Sequence, residues 1–264
     1  MGNDSSKKQM FKKENKIIIK NKAQIEGIRD ACFLVGKFLD LVLPKFIKEG
    51  ITTLDIDNLA TEFCIEHNVF PAFRDVPGYF HSTCTSINNE VVHAIPGDRI
   101  LEDGDIIKVD FGVTKNKFIG DACRTYMIGK VDKRVQKLVE VTRESLMLGI
   151  KAAIPGNRIG DIGYAIQKYV ERNRFSVVRE YVGHGVGLEL HEAPSVPHYG
   201  NKRTGKQLKA GMVIAIEPMI NMGTWRTKVL DDDWTVVTMD GKWSAQFEHT
   251  IAITENGPEI LTKI

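Results

Sequence analysis

At 264 residues, 42% hydrophobic and 27% charged, the chain has the make-up of an ordinary globular protein, long enough for one large domain or two small ones. Its most apolar run, Ala31 to Leu43, is broken by Lys37 and Asp40 and is too short to cross a bilayer, which excludes a membrane-spanning protein. The N-terminus carries lysines but no apolar core or cleavage site, and Cys32, Cys64, Cys84 and Cys123 form no CxxC pair. A secretory signal, a zinc ribbon and a disulfide scaffold are thereby excluded, and a reducing cytosol is the expected location.

The net charge of +2 conceals an asymmetry, because residues 1–22 hold seven lysines against Asp4 and Glu14. This stretch reads as a basic flexible extension and a candidate contact to ribosomal RNA, although a short lysine-rich terminus is more often simply solvated. The opening Met1-Gly2-Asn3-Asp4-Ser5-Ser6 matches a myristoylation pattern too briefly to count. Beyond it, Ile25, Ile28, Cys32, Val35, Leu39 and Val42 recur at steps of three and four, which predicts one long amphipathic helix. Gly50 ends that region. Thr52 and Asp55 then make a capping-box start for a second helix carrying Ile56, Leu59 and Phe63. Gly156, Asp161, Ile162 and Tyr169 mirror Gly50, Asp55, Ile56 and Phe63 at a constant offset of 106 residues. Four matched positions are a weak signal with chance as its rival; if real, they predict two halves, each of two helices followed by strands, with a site between them.

The strands carry the chemistry. In Asp105 to Val113, alternation puts Ile107, Val109, Phe111 and Val113 on one face and Asp110 on the other. A hairpin centred on Lys115 and Asn116 would place Asp110 directly opposite Asp121. Two carboxylates roughly 5 Å apart repel unless a cation or a shared proton lies between them. In Ser244 to Thr254, Ala245, Phe247, His249, Ile251 and Ile253 share one face, and Gln246, Glu248 and Thr250 the other. Glu217 closes the apolar run Met212 to Ile216, where a surface strand end is the commoner reading of a lone carboxylate. Gly183-His184-Gly185-Val186-Gly187 sets an imidazole in a glycine-rich turn, with His191 seven residues later. Each histidine alone is more often structural than a ligand. Taken as a set, Asp110, Asp121, His184, Glu217 and Glu248 offer four carboxylates and one imidazole, which suit Mn²⁺, Fe²⁺ or Co²⁺ better than a structural zinc.

HAIPGDRILEDGDIIKVDFGV, GDACRTYMIG, YVGHGVGLELHEAP, AIEPMI and SAQFEHTIAIT resemble, in order and spacing, the motifs of type I methionine aminopeptidases. The resemblance runs from about Ile25 to the C-terminus. It implies the α+β pita-bread fold, with pseudo-two-fold duplicated helix-helix-strand halves around a central antiparallel sheet, forming a single catalytic domain over residues 23–264. It also implies removal of the initiator methionine from nascent proteins whose second residue is small, by a cytoplasmic monomer holding two divalent ions of cobalt, manganese, iron or a similar metal. Carried over by position, Asp110 resembles the bidentate ligand of one ion, Asp121 and Glu248 the bridging ligands, and His184 and Glu217 the ligands of the other ion. Glu217 also resembles the general base, His191 the donor to the scissile carbonyl, and His93 a substrate-amide contact or proton shuttle. Tyr79, Cys84 and Trp234 resemble the walls of the methionine pocket.

Without the resemblance, His93 reads as a loop tether and the three pocket residues as core or loop aromatics. The 33 positions from His184 to Glu217 leave no room for the helical insertion of type II enzymes. Ala94, Gly112, Leu190 and Val76 depart from the commoner residues of the family and bear on pocket shape. Two other functions compete. An X-Pro-cleaving pita-bread hydrolase uses the same ligand types but usually carries a large N-terminal domain, for which the stretch before Asp110 has no room. A non-catalytic pita-bread binding protein would typically have lost ligands, and here all five are present.

Overall fold

The computed structural model describes residues 16–264; the opening hexapeptide and most of the lysine-rich extension lie outside the described residues. The chain runs through α1 (Lys22–Lys37), α2 (Thr53–Glu66), β1 (Phe70–Pro71), β2 (Thr83–Ile87), β3 (Glu90–Val92), β4 (Ile106–Lys115) and β5 (Phe118–Met127). It continues with α3 (Lys133–Ala152), α4 (Ile159–Arg172), β6 (Ser176–Val177), β7 (Gly183–Gly185), β8 (Glu192–Val196), β9 (Val213–Ile216) and β10 (Met219–Asn221). The last strands are β11 (Thr227–Val229), β12 (Val236–Thr238), β13 (Ser244–Gln246), β14 (His249–Thr254) and β15 (Gly257–Ile260). No described helix is long and apolar enough to cross a membrane.

The 106-residue echo is structural. Helices α2 and α4 begin and end 106 residues apart, and in both the third residue, Asp55 or Asp161, accepts the N-cap backbone N–H at 2.8 Å. Each half also has its own apolar core. One joins α1 and α2 to β4 through Val35, Phe63, Val109 and Phe111; the other joins α3 and α4 to the second-half strands through Leu138, Ile162, Ile214 and Ile251. A third cluster, containing Ile28, Cys84, Val213 and Ala252, lies between the halves.

The first long helix is not uniform. After Lys37 it passes into a π turn over Phe38–Val42 and a short 3₁₀ turn over Leu43–Lys45. Phe38, Leu39 and Leu43 are fully buried across these turns, whereas the predicted Val42 is only partly buried. Pro44, lacking a backbone N–H, cannot extend the α-helical ladder.

Strand β4 is central to its sheet, with β5 along one edge and β1 and β2 sharing the other. The β4–β5 hairpin corrects the expected register. Lys115 pairs with Phe118 around a two-residue loop, Asn116-Lys117, whose φ values of +49° and +69° are those of a type I′ turn. Asp110 therefore faces Cys123, and Asp121 faces Gly112. The expected pairing was displaced by two residues, which is one full pleat, so Asp110 and Asp121 still share a face as diagonal neighbours.

The expected strand over 244–254 is two strands in different sheets. Strand β14 pairs with β9 in the order β15-β14-β9-β7-β8, whereas β13 pairs with β10 in the order β13-β10-β6. One register runs through both pairs, since Ile216 faces His249 and Met219 faces Gln246. Both chains thus leave the ladder together, at Glu217-Pro218 and at Phe247-Glu248. Pro218 has no N–H to give the ladder, which accounts for the interruption on its own strand.

Candidate metal centre

That shared interruption frees Glu217 and Glu248 from regular pairing while leaving them opposite each other. Strand β5 closes the third side. The Glu248 N–H donates to Cys123 O at 2.9 Å, and the Thr250 hydroxyl donates to Asp121 O at 2.7 Å, so the face of β5 that carries Asp121 lies against the gap. From the other side β7 brings His184. Its flanking glycines are required by close approach, because a Cβ on Gly183 or Gly185 would lie 2.4 Å from the carbonyl oxygen of Ala215 or Ala193.

Asp121, His184 and Glu248 each offer a ligand atom within 4.8 Å of the others. The His184 Nδ1 lies 2.9 Å from its neighbour's carbonyl, Gly185 O, which fixes Nδ1 as the protonated nitrogen in the neutral ring. The Nε2 lone pair then faces Glu217 Oε1 at 3.4 Å and Asp121 Oδ2 at 3.9 Å. Lone pair against carboxylate is repulsive unless a proton or a cation intervenes. Asp110 Oδ1, Asp121 Oδ1 and Glu248 Oε1 are buried without a hydrogen-bond partner among the described residues. An unpaired buried carboxylate is among the costliest groups a fold can hold.

The electrostatics agree. Burial pushes the Asp110 carboxyl up to about 7, and burial together with the neighbouring carboxylates raises Asp121, Glu217 and Glu248 well above the usual range. Burial lowers His184 to about 3, reinforced by the nearby His191. Oxygen-rich donors, a neutral imidazole and three unpartnered oxygens fit hard or borderline divalent cations.

The remaining predicted residues border this cluster. The rings of His184 and His191 meet edge to face at 4.5 Å, and desolvation lowers His191. His93 stands at the end of β3 with φ +62°, its ring 5.6 Å from that of Tyr181, and burial lowers it to about 4. A histidine in left-handed backbone is uncommon and concentrates at functional sites. Tyr79 and Trp234 pack at 5.0 Å, and the Tyr79 hydroxyl donates to Thr83 O at 2.7 Å. Cys84 pairs with Asp110 across β2 and β4. These three belong to the apolar cluster between the halves, as do Val76 and Leu190. All the predicted site residues therefore gather at one place.

Some neighbours were not singled out in the sequence. Gln246 donates to Glu217 Oε2 at 3.2 Å; its place on the Glu248 face was legible, its partner was not. The Glu217 N–H donates to Nε2 of the fully buried His198 at 3.0 Å. Arg124 donates to Glu248 O at 2.7 Å and makes a two-point ion pair with Asp40 of the π turn at 2.9 and 3.1 Å. No local pattern marks either residue.

A model of metallopeptidase family M24 matches residues 26–255. The methionine aminopeptidase of Clostridium perfringens is 49% identical over 248 residues, covering 94% of this chain and 99% of that protein. The crystal structure of methionine aminopeptidase from Thermotoga maritima superposes with a TM-score of 0.92 at 47% identity, covering 94% and 100% of the two chains. The prolidase of Pyrococcus furiosus shares the fold with a TM-score of 0.73 at 26% identity, but this chain spans only 66% of it. The duplicated α+β architecture is the pita-bread fold, and the chain belongs to metallopeptidase family M24.

Proposed function

We propose that the protein is a methionine aminopeptidase that hydrolyses the peptide bond after an initiator methionine when the second residue is small and uncharged. The observation that carries this reading is the buried carboxylate–histidine cluster with its unpartnered oxygens, standing against the apolar cluster between the halves. Near-full-length similarity to methionine aminopeptidases, against partial coverage of prolidases, supports it over X-Pro cleavage. Five intact ligand positions support it over a binding role.

Asp110, Asp121, His184, Glu217 and Glu248 would hold two divalent ions, of manganese, cobalt or iron. Such ions act as Lewis acids on a carbonyl oxygen and bring the pKa of water near neutrality. Glu217, whose other oxygen is oriented by Gln246, takes the proton of the attacking water and later gives one to the leaving amine as the C–N bond breaks. His191 donates to the scissile carbonyl oxygen as negative charge develops there. Burial keeps the imidazole of His93 neutral, able to hold the substrate amide or pass a proton. Tyr79, Cys84 and Trp234, which belong to the apolar cluster between the halves, would wall a slot for the thioether side chain. Four buried free cysteines suit a reducing cytosol.

The deciding experiment removes all metal, restores Mn²⁺, Co²⁺ or Fe²⁺ anaerobically, and follows amino-acid release from Met-Ala-Ser and Ala-Pro-Ala. Metal-dependent release of methionine alone is expected. Release from the proline peptide alone would transfer the protein to the X-Pro hydrolases, and release from neither would favour a binding role. His191→Ala should lower kcat by about 10²–10³-fold with little change in KM, as expected for a donor engaged in the transition state. Wild-type turnover in that variant would remove His191 from the mechanism.

The substrates proposed are nascent-chain N-termini, with the basic extension as a contact to ribosomal RNA. Lys20 cannot take part in that contact, because it is buried. Deleting residues 1–15 should therefore reduce co-sedimentation with ribosomes while leaving tripeptide cleavage intact. Equal co-sedimentation would remove the support for ribosome contact.

A further inference from the structure

Lys20 is a buried lysine in the segment that precedes α1, and its charge is met by the buried Glu192. The two side chains are 1% and 3% exposed, and Lys20 Nζ donates to Glu192 Oε2. The other carboxylate oxygen, Oε1, accepts the backbone N–H groups of Leu188 at 2.7 Å and Glu189 at 3.1 Å. One carboxylate thus ties three points together: the N-terminal segment, the loop over residues 187–191, and the first residue of β8.

Both ends of this tie are anchored. The Lys20 N–H donates to Gly211 O at 2.8 Å, and the Gly211 N–H in turn donates to Ile253 O at 2.8 Å in β14. At the loop end, Gly187 O accepts the Ile119 N–H of β5 at 2.8 Å. Gly187 lies so close to α1 that a Cβ there would meet Ile28 Cδ1 at 2.3 Å and Lys20 Cε at 3.6 Å. His191 leaves this loop immediately before Glu192. Its own side chain makes no hydrogen bond with the described residues that would fix its direction, and the one aromatic ring it meets among them is that of His184, edge to face. The position of the imidazole is therefore inherited from the backbone on which it stands.

We infer that the Lys20–Glu192 ion pair is the positioning device for His191, holding the loop so that the imidazole sits over the scissile carbonyl. The inference rests on the role proposed above for His191. A buried carboxylate left without its cation seeks water, and the loop it caps reaches the surface at Glu189 and His191. A displacement of about 1 Å at a transition-state donor can cost about 10²-fold in rate, whereas the proposed metal ligands on β4, β5 and β7 and at the break between β9–β14 and β10–β13 would stay in place.

The test is a double-mutant cycle. Lys20→Met, His191→Ala and the double variant are assayed with Met-Ala-Ser under saturating Mn²⁺, and Mn²⁺ affinity is titrated calorimetrically. Lys20→Met should lower kcat at least tenfold, with KM and Mn²⁺ affinity within twofold of wild type. In the His191→Ala background the same substitution should cost less than twofold. In the metal-free protein, the imidazole resonance assigned to His191 by its loss in His191→Ala should shift and broaden in Lys20→Met, while that of His81, whose Nδ1 lies 3.4 Å from Asp57 of α2, stays in place.

An equal loss of kcat in both backgrounds, or an unmoved His191 resonance, overturns the inference. If wild-type protein releases no methionine, the functional reading fails, yet the resonance still reports whether the pair positions the ring. Should Lys20→Met fail to fold, Lys20→Met/Glu192→Gln removes both buried charges and carries the same cycle.

Discussion

Glu217→Gln should retain the fold and most of the metal while losing roughly 10³–10⁴-fold in kcat. Glutamine matches glutamate in size, and its carbonyl oxygen can still accept from Gln246 Nε2, which now stands 3.2 Å from Glu217 Oε2. The Glu217 backbone bond to His198 is untouched by the change. What the amide cannot do is take a proton from water and return it to the leaving amine, and both transfers in the proposed cycle pass through this side chain. Asp121→Asn is the contrast, because its carboxylate has an orphaned oxygen inside the cluster and no proposed part in proton transfer. That variant should lose metal first and activity as a consequence, with turnover restored in part by excess Mn²⁺. Metal content per chain, measured beside kcat at saturating metal, separates the two. Glu217→Gln turning over within tenfold of wild type would give the proton transfers to another group.

The sequence made the face of each strand legible better than its partner. Alternation placed Asp110 opposite the apolar residues of β4, and Glu248 with Gln246 and Thr250, and the fold keeps those faces. The turn was misjudged because Asn116-Lys117 lacks the glycine that usually marks a type I′ loop, and a lysine at φ +69° carries no local signal. The error was harmless because it spanned a whole pleat. The break at Glu217 and Glu248 could be half read from Pro218; that the opposite strand breaks at the same register is a property of the pair, invisible in either segment alone. The capping aspartates made the repeat readable, since Asp55 and Asp161 serve the same local bond in each half. Lys20, Arg124 and His198 were illegible, because their partners lie far along the chain and nothing nearby demands them.

Asp110→Asn should stabilise the metal-free protein as pH rises, and the sign follows from the carboxyl group's raised pKa. In the folded chain Asp110 is pushed up to about 7 by burial, against about 3.9 in the unfolded chain. Between those values the folded state holds a proton that the unfolded state has released, so the ionisable residue costs stability progressively as pH rises through the window. Below about pH 4 both states are protonated and the asparagine variant gains nothing; above about pH 7 the full penalty is present and the gain is constant. The variant is needed because other groups titrate in the same range. Burial lowers His184 and His198 to about 3 and His93 to about 4, which makes acid destabilising, and it lowers Lys108 to about 7, which favours the fold at alkaline pH. A difference between two chains identical at those four positions cancels them; Asp121, Glu217 and Glu248 are raised in part by Asp110 itself, and relief of that repulsion adds to the gain with the same sign. The expected gain is a few kcal/mol at pH 8, or roughly 5–10 °C in the unfolding midpoint, and close to zero at pH 4. With Mn²⁺ bound the order should reverse, because a neutral amide is a poorer ligand than a carboxylate and cation binding adds to the stability of the folded state. Metal-free asparagine variant and wild type melting together at pH 8 would mean that Asp110 already has a protein partner for its charge, and the case for a cation at this position would fall with it.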